Sequence, residues 1–390
     1  MWLFSSLREG SPGGSALIRL KHTRHLPLAR RRAPTGLGVQ KSGTTALHYF
    51  LEHLSGIRTG RLKEEHFFDQ HSISQHGPNN ANVTTKDVRA QYLRYLRGWP
   101  RARQVTRCSR ATMRCHLTQG GLEDATIEIT PSYIADRRVP WIMHEILPHA
   151  TEVKLLLILR EPVARTLSGF FQVCKTCGER RMRRVLPREL QLLRKCYAAT
   201  AGFGAGYGTG MAKAPTAGAC ATGHEQMARM HACVHADVEK DNKPWFGQFT
   251  RMSAPAAERF HKNPARGSDP YQGVIFRGIY VDSIKNYLCA GFRPEQFLIM
   301  TTSELHADME AAVDRLARFV GKKLTPKVRG LFHAEGYRKN SKSSGHRLPS
   351  AFDKELQDFF RPYNEALLEL LMNNSFDINA KYLVEEFMQY

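Results

Sequence analysis

Residues 38–45 read Gly-Val-Gln-Lys-Ser-Gly-Thr-Thr, and the fold can be worked out from this stretch outward. Its two glycines let the backbone approach an anion closely. Lys41 supplies a positive charge, and Thr44 and Thr45 supply hydroxyl and amide donors. Anions bind well at helix N-termini, and residues 46–54 carry apolar side chains at helical spacing. The sequence therefore predicts a phosphate-binding turn followed directly by a helix.

The order of residues in this turn argues against an ordinary ATP or GTP enzyme. In the Walker A pattern the lysine follows the second glycine, whereas here Lys41 precedes it. A second candidate phosphate site lies 119 residues after Lys41, where the apolar run 155–159 ends in Arg160 and a helical stretch carries Ser168. Two phosphate sites on one chain indicate a nucleotide phosphorylated at both ends. Among nucleotide-binding proteins, this pattern indicates those that bind 3′-phosphoadenosine 5′-phosphosulfate.

Three segments, in this order along the chain, carry a resemblance to a known family. The turn is similar to the 5′-phosphosulfate loop of the carbohydrate sulfotransferases, and residues 155–171 resemble their 3′-phosphate segment. Residues 63–69, Lys-Glu-Glu-His-Phe-Phe-Asp, resemble the Lys-Glu-x-His-Phe-Phe signature of the Golgi glycosaminoglycan sulfotransferases. The resemblance continues at 277–280, 293–300 and 359–364, so it covers most of residues 36–390 with a gap at about 172–270.

The resemblance implies a role for each matching residue. Glu64 is the catalytic base, and a one-residue shift of the signature would move that role to Glu65. Lys41 stabilises charge on the bridging oxygen, and His66 completes the catalytic set. The 5′-phosphate is held by Lys41, Ser42, Gly43, Thr44 and Thr45, the 3′-phosphate by Arg160 and Ser168, and the acceptor by Glu65 and Asp69. No metal is required, since the positive charge comes from Lys41.

Two departures from the family pattern concern the acceptor and the nucleotide. Relatives with acidic acceptors often have a lysine where Ile129 stands. The C-terminal nucleotide loop, Lys-Gly-Arg in close relatives, is present only as Ser-Gly-His-Arg at 344–347, and Arg347 is assigned to the nucleotide in place of the family's arginine.

The chain is strongly basic, with a formal net charge of +21. Arginines cluster in two stretches, 97–114 and 180–195. A basic surface attracts nucleic acid and acidic polysaccharide for the same physical reason, so charge alone does not choose between them. The resemblance favours an acidic glycan, with Arg101 and Arg103 among its contacts and no nucleic acid as a partner.

The eight cysteines are an even number and crowd into the middle of the chain. Disulfides, free thiols and a metal site all remain possible, and disulfides are favoured because the family is lumenal. The resemblance implies the Golgi lumen, yet no transmembrane segment or clear signal peptide is visible in the sequence. Residues 1–35 are basic and contain only short apolar stretches. They fit a targeting peptide, a disordered arm or, as we favour, an incomplete gene model.

Strands and helices alternate along the chain, which predicts an α/β fold: a P-loop-like three-layer sandwich with a central, mostly parallel sheet. The expected domain runs from 36 to 390, with an irregular Cys/Gly-rich insertion at about 172–270 that includes the Gly/Ala-rich segment 199–223. The strand into the phosphate turn is expected to be poor, because residues 33–38 lack the run of β-branched side chains typical of a buried parallel strand.

The predicted function is transfer of a sulfuryl group to a carbohydrate hydroxyl. The alternatives are a non-catalytic polyanion-binding protein on the same fold and, third, a nucleotide-dependent kinase.

Overall fold

A computed structural model gives the fold. It describes residues 35–54, 57–59, 62–71, 87–89, 91–92, 125–147, 149–173, 178–199, 220, 229–230, 233–234, 273–333 and 348–388. Arg101, Arg103, Arg347 and the segments 1–34 and 200–219 lie outside the described residues.

Five parallel strands form the central sheet in the order β2-β3-β1-β4-β5. The strands are β1 (Thr35–Gly38), β2 (Ile57–Thr59), β3 (Ala125–Ile129), β4 (Leu155–Leu159) and β5 (Phe297–Thr301). The predicted parallel sheet is confirmed. In β4 and β5 every residue is buried, as expected for parallel strands covered on both faces.

Helices cover both faces of this sheet. They are α1 (Thr44–His53), α2 (Val139–Ile146), α3 (Pro162–Val173), α4 (Glu179–Ala199), α5 (Tyr280–Cys289), α6 (Thr302–Ala307), α7 (Met309–Phe319), α8 (Pro326–Gly330), α9 (Ser350–Met372) and α10 (Ala380–Phe387). Side chains alternate between the faces, so Leu156 and Ile158 join one apolar cluster with α1 and α7. Leu155 and Leu157 join the other, with α4, α5 and α9. The result is the three-layer sandwich.

The expectation of a poor first strand is wrong, because β1 lies at the centre of the sheet and pairs with both β3 and β4. Its glycine content reflects close packing rather than weak pairing. A Cβ atom on Gly36 would lie 2.8 Å from the Cγ1 atom of Ile129. Close approach of the neighbouring strand therefore selects glycine where strand propensity would select a β-branched residue.

The segment after α3 begins with regular structure, since α4 is a helix of 21 residues. Two disulfides lie in the described part of the chain. Cys196 of α4 is bonded to Cys233, and Cys220 is bonded to Cys289 at the end of α5. The prediction of disulfides is confirmed for these four cysteines, whereas Cys108, Cys115, Cys174 and Cys177 lie outside the described residues.

We expect the double variant Cys220→Ser/Cys289→Ser to unfold at a temperature several degrees lower than the parent protein. The bond closes a loop over a sequence separation of 69 residues, and opening it restores entropy to the unfolded chain. Calorimetry with and without reductant provides the measurement. Adding reductant should lower the melting temperature of the parent more than that of the variant. Equal decreases would contradict the prediction.

Among the described helices, none has the length and the apolar composition that crossing a bilayer requires.

Candidate functional site

The candidate site lies at the carboxyl edge of the sheet, where the predicted motifs follow the strands. The phosphate loop 39–43 follows β1, and Arg160 follows β4. The segment 62–69 comes after β2, and Thr130 and Ser132 come directly after β3. Ligands of open parallel sheets bind at this edge. The fold therefore brings together residues that the sequence separates by more than 100 positions.

The phosphate loop turns tightly around its two left-handed residues. Lys41 has a φ angle of 76°, and Gly43, which precedes α1, has a φ angle of 88°. The left-handed conformation favours glycine at position 43. Ser42 is fully buried, and its hydroxyl has no hydrogen-bond partner among the described residues. Thr44 is buried and Thr45 exposed at the start of the helix.

Three arginines from distant parts of the chain hold the loop. Arg160 donates to the carbonyl of Lys41 at 3.0 Å. Arg165, one turn into α3, donates from Nε to the carbonyl of Gln40 at 3.4 Å. Arg277 donates to the Gln40 side-chain oxygen at 2.6 Å. The loop is thus fixed by guanidinium groups that the sequence places 119 to 237 residues away.

Arg165 is a residue of this site that the sequence did not reveal. It is fully buried and also donates to the carbonyl of Val274. Burial lowers the pKa of its guanidinium, and the charge of Arg160 lowers it further, although Tyr280 and Glu189 act in the opposite direction. In the sequence, the signal for a role of Arg165 at the loop is its position five residues after Arg160. Arg165 therefore contacts the loop from the protein interior rather than from the solvent side.

Lys41 sits in a local excess of positive charge. Burial lowers the pKa of its ammonium group, and the charges of Arg160 and Lys63 lower it further. An anion placed among these three cations would relieve their mutual repulsion. This electrostatic pattern suits a phosphate or phosphosulfate group.

Glu64 lies beside two cations on the segment after β2. Lys63 approaches its carboxylate at 3.1 Å, and the Nε2 atom of His66 lies 3.6 Å away. The hydrogen bond with His66 lowers the pKa of Glu64, and Lys63 adds to the effect against an opposing contribution from burial. The carboxylate is therefore ionised at neutral pH and partly exposed, with about a third of its side-chain surface open to solvent.

His66 is held in place by residues that follow β3. Its Nδ1 atom contacts Asp69 at 3.0 Å, and Asp69 accepts a hydrogen bond of 2.5 Å from Ser132. The backbone N–H of His66 donates to the Thr130 hydroxyl at 3.3 Å. These contacts stabilise a residue whose φ angle of 53° lies in the left-handed region. Thr130 and Ser132 were not predicted, because they act through His66 and Asp69.

Glu65 points away from Glu64 into the interior. It is 1% exposed, and one carboxylate oxygen accepts from the backbone N–H of Leu62 at 2.7 Å. Close to it lies Glu128, which accepts from Tyr92 at 2.9 Å and from Thr130 at 3.2 Å. Burial raises the pKa of Glu128 to about 7, and the charge of Glu65 adds to the increase. The two neighbouring glutamates 64 and 65 thus have different environments.

Of the remaining predicted residues, Ser168 is half-buried on α3, two turns beyond Arg160. Asp69 is buried beside His66 rather than open to an acceptor. In the described ranges no cluster of three or more histidine, cysteine, aspartate or glutamate side chains is arranged to hold a metal ion.

We expect the stability of the protein to decline in alkaline solution because of His66. Burial opposes the charged form, but hydrogen bonds with Asp69 and Glu64 outweigh it and raise the pKa of His66 from 6.5 to about 9. Since the folded-state pKa is the higher one, this stabilisation is complete below about pH 6.5. It is lost as the pH rises through 9.

The measurement is the melting temperature against pH for the parent and for His66→Asn. Asparagine is chosen because it tolerates the left-handed backbone. The parent should lose its advantage over the variant between neutral pH and the pKa of about 9. His306→Asn, at an exposed position, is the control and should follow the parent curve. A constant difference between parent and His66→Asn would contradict the assignment.

Comparison with known proteins bears on this geometry. Residues 37–362 match the family model described as Sulfotransferase domain. Among solved structures, the chain is similar to a sulfotransferase from Alicyclobacillus acidocaldarius, with 17% sequence identity, a TM-score of 0.45, and coverage of 87% of this chain and 96% of that chain. No curated protein gives a significant match. The family match includes the phosphate loop, the segment 62–69 and Arg160.

Proposed function

The chain belongs to the sulfotransferase domain family, and from this premise we propose that it transfers a sulfuryl group from 3′-phosphoadenosine 5′-phosphosulfate to a hydroxyl of an acidic carbohydrate, with Glu64 as the base. The observation that carries the proposal is the charged cluster formed by the segment after β2 and the phosphate loop. Lys63 contacts Glu64 at 3.1 Å, and its charge also acts on Lys41. These contacts support a single site in which Glu64 acts as the base beside the phosphate loop.

The reaction requires few groups from the protein. The acceptor oxygen forms a bond to sulfur while the bond between sulfur and the bridging phosphate oxygen breaks. Glu64 takes the hydroxyl proton, and adenosine 3′,5′-bisphosphate leaves. In this proposal Lys41 stabilises the negative charge that develops on the bridging oxygen. Fixed charges act well here because three arginines hold the loop before the reaction begins.

The nucleotide would be held by two groups of residues. Lys41, Ser42, Gly43, Thr44 and Thr45 would contact the 5′-phosphate, and their amides lie at the start of α1, where anions are favoured. Arg160 and Ser168 would contact the 3′-phosphate. An arginine at the end of a strand can bind a phosphate through two nitrogens, which gives both strength and orientation.

The acceptor class rests on charge. The net charge of +21 favours a polyanion, and the disulfides favour an oxidising compartment such as the Golgi lumen. Transfer of labelled sulfate from the donor to a panel of desulfated acidic glycans, neutral glycans and phenols tests the proposal. We expect label on an acidic glycan. Label on phenols alone would overturn the carbohydrate acceptor, and donor binding without transfer to any acceptor would favour a non-catalytic binding protein.

We expect turnover to survive treatment with EDTA. The proposed positive charge at the transferring group comes from Lys41, which the chain itself supplies. Rates measured before and after chelation, with magnesium added back to a third sample, provide the check. Loss of turnover on chelation and recovery with magnesium would instead favour a kinase.

A further inference from the structure

The exposed face of α4 carries a stripe of positive charge. Its exposed basic side chains, which we call the basic stripe, are Arg180, Arg183, Arg184, Arg188, Arg194 and Lys195. They lie one to six residues apart, on the face opposite the buried side chains Met182, Leu186 and Leu193. At 1.5 Å per residue, the stripe is about 22 Å long.

This arrangement is unfavourable for the helix itself. Arg180 and Arg184, and again Arg184 and Arg188, are like-charge pairs four residues apart, an arrangement that destabilises a helix. Arg180 also lies in the first turn, where the helix dipole disfavours cations. Two of its arginines contact exposed acids, Arg183 with Glu179 at 3.6 Å and Arg194 with Glu355 at 2.5 Å, but exposed ion pairs of this kind contribute little to stability. The stripe therefore does not serve the stability of α4.

The opposite face of α4 connects the stripe to the candidate site. The carboxylate of Glu189 accepts from the backbone N–H groups of Ile275 and Phe276, at 2.7 and 3.3 Å. The next residue, Arg277, donates to Gln40 in the phosphate loop at 2.6 Å. A chain bound along the stripe would thus lie one helix away from the proposed reaction centre.

We infer that the basic stripe binds the acceptor chain, an acidic polysaccharide, outside the reaction centre. The inference rests on the proposed function. Repeating negative charges along a polysaccharide match a row of cations that releases counterions on binding. The disulfide at Cys196, at the end of the same helix, favours an oxidising compartment, where acidic glycans rather than nucleic acids are the available polyanions.

The test compares Arg180→Ala/Arg184→Ala/Arg188→Ala with a control of equal charge, Lys323→Ala/Lys327→Ala/Lys354→Ala, whose lysines are exposed elsewhere. A heparin oligosaccharide is titrated at several salt concentrations. The stripe variant should bind heparin more weakly than the parent. A plot of the logarithm of its binding constant against the logarithm of the salt concentration should have a slope less steep by about 2 to 3, whereas the control should keep the parent slope. Equal slopes for the two variants would overturn the inference.

Two further measurements separate this inference from the proposed function and from the choice of partner. If parent and control bind heparin through the stripe but no acceptor is sulfated, the proposed function fails and the stripe stands as a binding surface. If sulfation proceeds and the stripe variant binds heparin as the parent does, the inference about the stripe is wrong and the proposed function stands. A DNA oligomer of equal charge should bind more weakly than heparin at about 0.15 M salt, and the reverse order would overturn the glycan as the partner.

A different observation, in the C-terminal helix, carries a second inference. Glu386 of α10 is 4% exposed, and its carboxylate accepts four hydrogen bonds. One comes from the backbone N–H of Glu161 at 2.7 Å. The others come from the Thr302 hydroxyl at 2.6 Å and from the backbone N–H and hydroxyl of Ser303 at 2.7 and 2.5 Å. The carboxylate thus joins the ends of β4 and β5.

The peptide group between Arg160 and Glu161 is held from both sides. Its N–H donates to Glu386 at 2.7 Å, and its carbonyl accepts from the Tyr280 hydroxyl at 2.8 Å. This fixes the backbone from which the Arg160 side chain projects. Residue 386 lies beyond the region 37–362 that matches the family. We propose that Glu386 is a positioning residue that fixes Arg160 for the 3′-phosphate, a role that also rests on the proposed function.

Donor kinetics of Glu386→Gln and of Leu383→Ala, a buried apolar residue on the same helix, test this role. Both variants should lower the melting temperature. Only Glu386→Gln should raise the KM for the donor, by about tenfold for one charged hydrogen bond, and reduce the preference for adenosine 3′,5′-bisphosphate over AMP, with kcat nearly unchanged. Equal KM values for the two variants, or a loss confined to kcat, would overturn the proposal. The nucleotide preference is measured by binding alone, so it remains readable if turnover is absent.

Discussion

Glu64→Gln should lower turnover by about a hundredfold or more, the range typical for loss of a general base. Glutamine keeps the size of the side chain and can still bond to Lys63 or His66, but it cannot take the proton of the acceptor hydroxyl. Glu64 makes no described contact with the phosphate loop, so nucleotide affinity should stay close to that of the parent. Single-turnover rates and calorimetric binding of adenosine 3′,5′-bisphosphate separate the two effects.

Glu65→Gln is the matched control, because it makes the same chemical change one residue further along. Glu65 is 1% exposed and accepts from the Leu62 N–H, a contact that a glutamine oxygen can retain. The variant should therefore turn over at a rate close to the parent. If Glu65→Gln were the more damaging change, the signature would be out of register by one residue. If neither variant lost activity, the base would lie elsewhere.

The parts of the fold that were predictable from sequence are those coded by local pattern. The apolar runs 155–159 and 297–301 predict buried parallel strands, and α1 and α7 follow from apolar spacing. β1 was expected to be a poor strand because its glycine at position 36 is selected by the approach of Ile129, a contact that is visible only after the sheet is assembled. α4 was not predicted as a helix because its arginines hid the apolar positions on its other face.

The same distinction between local pattern and long-range contact applies to the residues of the candidate site. Lys41, Ser42 and Arg160 belong to short motifs, so the sequence could place them near phosphates. Arg165 and Arg277 reach Gln40 over 125 and 237 residues, and no local pattern indicates such contacts. Glu128 looks like the solvent-facing residue of an alternating strand, yet it is 2% exposed beside Glu65. Long-range packing, rather than spacing along the chain, decides these roles.

The nucleotide preference is the largest expected difference in binding. Adenosine 3′,5′-bisphosphate should bind more tightly than AMP by about 2 to 4 kcal/mol, because Arg160 and Ser168 would contact the additional phosphate through charge-assisted hydrogen bonds. This corresponds to about 30- to 1,000-fold in affinity. Calorimetric titration of both nucleotides measures the difference, and equal affinities would remove the basis for assigning these two residues.

The double variant Arg160→Gln/Ser168→Ala should abolish most of this preference while retaining AMP affinity. Arg165 and Arg277 still hold Gln40 of the loop in this variant, so the 5′ site should keep its shape. Arg361→Gln, at an exposed position on α9, removes the same charge elsewhere and should leave both affinities unchanged. A preference that survived in the double variant would place the 3′-phosphate on residues other than Arg160 and Ser168.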